Sequence, residues 1–143
     1  MAKNKVVKKP KQSMSRVPSK ALEIIDSANY EEMAPVFRFS SADDNNWVLH
    51  EWQKKELKAL ISCFKKMEKL TWNKIRRDTG FKMTKLNNVS PPSYLSKEIE
   101  LYEIRVNQEQ RIHGYKFQNI FYIVWFDRDH TVCPEGKNRK YGT

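Results

Sequence analysis

Residues 111–130 read RIHGYKFQNIFYIVWFDRDH, and the alternation within this stretch decides what the rest of the chain has to cover. It predicts two strands joined at Gln118 and Asn119. The second, residues 120–126, is almost wholly apolar and aromatic, as a central strand buried on both faces requires. The first alternates, with Arg111, His113, Tyr115 and Phe117 on one face of the sheet and Ile112 and Gly114 on the other. The apolar run stops abruptly at Asp127, Arg128, Asp129 and His130. A charged cluster at a strand end, beside a polar face of the neighbouring strand, is the expected seat of any chemistry.

Upstream, residues 99–106 alternate as well, with Tyr102, Ile104 and Val106 on one face and Leu101, Glu103 and Arg105 on the other, so another strand is expected. Residues 107–110 turn it back into the Arg111 strand. The Pro91 and Pro92 pair makes residues 81–97 read as a loop. A short helix is expected after Leu70, with Thr71 as N-cap, Trp72 and Ile75 facing inward, and Gly80 as a left-handed stop. Before it, Trp52, Leu57, Leu60, Ile61, Phe64 and Met67 recur at helical spacing, and lysines occupy the other positions. Residues 36–39 read as a first strand, followed by a polar loop. The expected fold is α+β. Its order is strand, helix, helix, then a three-stranded antiparallel meander, giving a two-layer sandwich with both helices on one sheet face and the other face more open.

At 143 residues and 39% hydrophobic composition, the chain has room for one domain with a modest core. Residues 1–34 are expected to be a basic, largely disordered extension, 35–134 the domain, and 135–143 a basic tail. Residues 3–20 carry seven Lys and Arg and no acid; such a segment is a solvated tail or an arm that neutralises phosphates. Ala21, Leu22, Ile24 and Ile25 allow a short helix over 19–28. No apolar run approaches the roughly 20 residues that span a bilayer, and no signal-peptide segment is read at the N-terminus. A cytoplasmic location without membrane contact is therefore expected. Cys63 and Cys133 form no spaced framework, so both are expected as thiols. The net charge of +10 favours a polyanionic partner, nucleic acid first.

The segment LYEIRV, a turn, RIHGY, a second turn and FYIVWFDRDH resembles the C-terminal half of the RelE/ParE toxin superfamily. In that family an Arg-containing strand, here carrying Arg105, is followed by a strand opening with Arg, here Arg111. A third strand ends in an acid and a His, here Asp127 and His130. The preceding helix pair agrees in order. The resemblance implies ribosome-associated cleavage of mRNA and a cognate antitoxin that covers the cationic face.

The residues make chemical sense of that implication. Cutting RNA without a metal needs a base for the 2′-hydroxyl proton, a cation for the charge growing on phosphate, and an acid for the leaving 5′-oxygen. His113 or His130 can serve as base or acid. Arg111 and Arg105 can hold phosphate by forked hydrogen bonds, Asp127 can orient an imidazole, and Tyr115 can stack on a base. Arg111, His113, Asp127 and His130 are the catalytic candidates; Lys82, Lys85, Arg105, Tyr115 and Arg128 are the nucleic-acid-binding ones. Asp127, His130 and Cys133 lack a fourth ligand, so neither a metal nor another cofactor is expected. Each assignment has a plainer rival: a surface ion pair between Arg105 and Glu103, a structural sheet histidine at 113, a core tyrosine at 115. The other class of function is a non-catalytic module of the same fold that binds nucleic acid or a protein.

Residues 1–19 have too few apolar side chains to offset their ordering entropy. A chain lacking them is expected to unfold at the same temperature as the full chain, and a large drop in Tm would place the segment in the core.

Overall fold

The computed structural model describes residues 29–133. The basic arm, the short helix expected over 19–28 and the tail from 135 lie outside the described residues. The elements are β1 (Val36–Arg38), α1 (Lys54–Glu68), α2 (Trp72–Arg77), β2 (Thr84–Lys85), β3 (Tyr102–Arg105), β4 (Arg111–Phe117) and β5 (Ile120–Asp127), with 3-10 turns at Tyr30–Glu32 and Leu49–Glu51. The α+β class holds. The sheet, however, is mixed and five-stranded, in the order β1-β5-β4-β3-β2. β1 runs parallel to β5, with Phe37 opposite Phe121, and the other pairs are antiparallel. β2 lies within the stretch expected to be all loop; it ends before Pro91 and Pro92, so neither ring interferes with its ladder.

The helices start where their caps dictate. The Glu56 carboxylate accepts the N–H of the N-cap Gln53 at 2.8 Å, which opens α1 two residues after Trp52. Trp52 is buried all the same. On α1, Leu60, Cys63 and Met67 point inward, but Ile61 is 54% exposed, because it sits about 100° around the helix from Leu60. Thr71 Oγ1 caps α2 by accepting the Lys74 N–H at 3.3 Å. α2 ends at Asp78 in an extended conformation, earlier than the left-handed Gly80 that the sequence predicts. Gly80 has no positive φ, and its N–H donates to Asp78 Oδ1. The turn at Tyr30–Glu32 packs on α2, so the packed chain begins ahead of Pro35.

Both faces of the sheet are covered. On the helical face Trp72, Ile75, Leu60 and Met67 pack on Ile104, Ile112, Phe121, Ile123 and Phe126. The other face, expected to be more open, carries a second cluster of Leu86, Leu101, Val124, Trp125, Val132 and Cys133, with Trp47, Val89, Leu95 and Ile99 against it. The loops that the prolines keep out of the ladder form its cover.

Serving two clusters breaks the alternation of β5. His113 pairs with Trp125 but Gly114 pairs with Ile123, so Val124 is an extra residue in the ladder. Its carbonyl instead accepts the Asp43 N–H at 2.9 Å. Phe121 and Ile123 face the helices, Val124 and Trp125 both face the second cluster, and Phe126 returns to the helices. The bulge therefore brings Asp127 to the face that carries Arg111 and His113.

β4 passes the bulge without a side chain. A Cβ on Gly114 would lie 2.1 Å from the Tyr122 carbonyl oxygen and 2.8 Å from Phe121 Cε2. The backbone contact cannot swing away. Gly114→Ala is expected to lower stability by about 3 kcal/mol, the upper end for overpacking, read as a lower urea midpoint at unchanged m-value. A midpoint equal to wild type would mean that the bulge can shift to admit a methyl group.

Candidate functional site

The polar residues of β3 and β4 meet under the second cover. Register places Glu103 opposite His113 and Arg105 opposite Arg111, while Arg111 is also opposite Asp127. Glu103, which sequence reasoning treated only as a surface partner for Arg105, is buried at the centre of the group. Its Oε1 accepts from His113 Nε2 at 3.1 Å and lies 3.4 Å from His130 Nε2; its Oε2 is 3.8 Å from Arg111 Nε. The clue was available, since alternation puts Glu103 and His113 on matching faces of adjacent strands.

Three of the four catalytic candidates are sealed. His113 and Asp127 expose no surface and Arg111 only 5%. The Arg111 Nη1 donates to the carbonyl oxygens of Asn107, Gln108 and Gln110, at 2.7, 3.1 and 3.0 Å, so the guanidinium clamps the β3–β4 turn. Asp127 accepts the N–H groups of Thr131 and Val132 at 2.9 and 2.8 Å and shapes the turn that follows β5. On that turn sits His130. Its backbone is left-handed, with φ 57°, and its side chain keeps 11% of its surface exposed. A non-glycine residue in that conformation is strained, and the Asp127 bonds hold it there.

Charge balance within the group follows from its burial. Burial by itself opposes ionisation of Glu103, but the His113 hydrogen bond and the charges of His113, His130 and Arg111 outweigh it and hold the carboxyl below the usual range. Burial, then the charges of Arg111 and His113, push His130 below the ordinary histidine value, and Glu103 and Asp127 only partly counter them.

The nucleic-acid candidates scatter. Arg105 and Lys82 line one cavity together with Arg76 and Arg77, two arginines that the sequence reading did not single out. Lys85 pairs with Glu100 at 3.2 Å on the surface. Arg128 is tied to Glu56 at 2.6 Å, fastening the end of β5 to α1. Tyr115 stacks on Tyr122 with ring centroids 4.8 Å apart, and its hydroxyl is 2.7 Å from Ser41 Oγ. Cys133 is buried in the second cluster and Cys63 in the first; burial pushes the Cys63 thiol up to about 11. Among the described residues no group of three or more His, Cys, Asp or Glu is placed to hold a metal ion, and no helix is long and apolar enough to cross a membrane.

A pH dependence follows from the cluster. Both His130 and Glu103 are depressed in the folded chain, so the unfolded chain binds more protons in acid and stability rises with pH. The His130 contribution is fully present above its ordinary 6.5 and is lost as pH falls through its lower folded value. That of Glu103 is lost further down, below 4.5. Tm is expected to fall as the pH drops below histidine's ordinary 6.5, and His130→Gln to remove part of that fall. A Tm that rises on acidification over this window contradicts the assignment.

Compared with known proteins, the chain matches no family model, no curated protein and no solved structure.

Proposed function

We propose that the domain acts on RNA as a toxin-like endoribonuclease of the RelE type, with His130 as the group that meets the substrate. The observation that carries this reading is the setting of His130: a partly exposed imidazole on a strained turn, backed by Glu103, which His113 and Arg111 hold in place. A depressed value keeps the imidazole neutral at neutral pH, the form a general base requires. With Nε2 turned toward Glu103, Nδ1 is the nitrogen left to take the 2′-hydroxyl proton. Glu103 then stabilises the imidazolium that forms, as a buried carboxylate does for a histidine base. The 2′-oxygen attacks phosphorus, the P–O5′ bond breaks, and the leaving 5′-oxygen takes its proton from water. Arg111, His113 and Asp127 act as positioning residues, since none of them can reach a bound strand. The net charge of +10 supplies attraction for the polyanion.

A second reading is a non-catalytic module that binds nucleic acid or a protein. The sealing of Arg111 favours it, because that guanidinium is committed to three backbone carbonyls and is not available to a transferring phosphate.

Single-turnover cleavage of ribosome-bound mRNA, measured beside RNA affinity, separates the two. On the first reading His130→Gln slows cleavage by about a hundredfold or more with little change in affinity. The wild-type rate also rises with pH and levels off below histidine's ordinary 6.5. A wild type that binds RNA or a protein tightly and cleaves nothing leaves the binding module standing.

A further inference from the structure

We propose that the groove between α2 and the C-terminal end of β3 is a binding site for the phosphodiester backbone of single-stranded RNA, with Arg105 at its centre. The identity of the occupant rests on the RNA-directed reading above; the groove itself does not depend on cleavage.

Two cavities meet at this place. One, of about 450 Å³, is walled by Arg76, Arg77, Lys82 and Arg105; the other, of about 330 Å³, adds Lys66 of α1. Both are lined by Arg105 and Asp78, so they lie side by side along these two residues. Asp78 is the carboxylate in this lining, and its Oδ1 already accepts the Gly80 N–H at 2.6 Å. Arg76 is shared with Glu31. Arg105 differs from its neighbours. Its Nε is buried without a hydrogen-bond partner among the described residues, an arrangement that costs stability.

The chemistry of the lining selects the occupant. Guanidinium forks match phosphate oxygens, and two of the cations are held on a short, well-packed helix whose Trp72 and Ile75 are fully buried. Lys82 projects from a left-handed backbone with φ 44°, a strained conformation of the kind found at ligand clamps. Cations spread over two adjoining cavities suit successive phosphates of a strand better than a single ion. The site is separate from the His130 cluster, yet β3 links them: Glu103 belongs to one and Arg105, two residues on, to the other.

The test uses the full chain and a fluorescein-labelled oligouridylate, with affinity followed by anisotropy over a range of salt. Arg77→Gln/Lys82→Gln removes two exposed cations without touching the core; it is expected to weaken binding on the order of tenfold and to flatten the salt slope by about 1.4, at about 0.7 per lost phosphate contact. Arg105→Gln is expected to do at least as much, and the exposed double variant covers the case in which Arg105→Gln fails to fold. Lys54→Gln/Lys58→Gln on the outer face of α1 removes the same charge away from the groove and is expected to bind as wild type. Equal losses from both double variants would reduce the effect to net charge and overturn the site, as would wild-type affinity and slope in the groove variants. If inorganic phosphate binds wild type and not the groove variants while RNA binding is unchanged, the groove takes the free ion and the proposal for RNA falls. Oligouridylate held by the groove while ribosome-bound mRNA is left uncut retires the role of His130 and leaves this inference standing.

Discussion

β5 has to belong to two apolar clusters at once, and the extra residue at Val124 is how it does so. An unbroken strand would carry the parity of Phe121 and Ile123 through to Trp125 and Asp127, driving an indole and a carboxylate toward the helices. Phe126 would then be withdrawn from the same core. Each large apolar side chain moved from interior to water costs about 1.5–3 kcal/mol, and a carboxylate buried among Leu60 and Met67 would cost more. The bulge avoids both. It is secured from outside, since the Val124 carbonyl is satisfied by Asp43 and the Trp125 Nε1–H donates to the Asp43 carboxylate at 3.0 Å. Gly114 makes room for it on β4.

The polar cluster is the counterpart of that parity change. Once Asp127 shares a face with Arg111 and His113, the strand end can fold back over them, and the turn through His130 closes the site. Burying so many ionisable groups gains little net stability, because desolvation consumes most of the attraction between them. What the arrangement provides is geometry. Arg111 fixes the turn before β4, Asp127 fixes the turn after β5, and Glu103, bonded to His113 across β3 and β4, lies 3.4 Å from His130. The result is one partly exposed imidazole on a turn that buried groups hold in place.

Charge on this protein is divided between tasks that composition alone does not separate. Arg128 and Lys116 serve as fasteners, to Glu56 and to Glu31. Arg111 braces the backbone. Arg76, Arg77, Lys82 and Arg105 converge on one groove although they come from a helix, a loop and a strand. A cation's surroundings, rather than its residue type, decide which of these tasks it performs.

By itself the sequence determined the elements whose causes are local. Period-two alternation placed β3 and β4 and sorted Tyr102, Ile104 and Ile112 from Glu103, Arg111 and His113. The apolar run placed β5, and the Thr71 cap placed α2. Gln118 and Asn119 marked the hairpin, where Gln118 indeed takes a positive φ. Tertiary structure decided whatever depended on partners distant in sequence. The parallel pairing of β1 with β5, the cover over the second face and the seating of Ile61 in solvent all depend on which surfaces meet, and no local pattern encodes that. The same holds for the site. Alternation could nominate Arg111, His113 and Asp127, but only packing showed them sealed, and only register gave Glu103 its place between two histidines. A single inserted residue at Val124 reverses the facing of everything after it, and its cause, the competition of two cores for one strand, exists only in the folded chain.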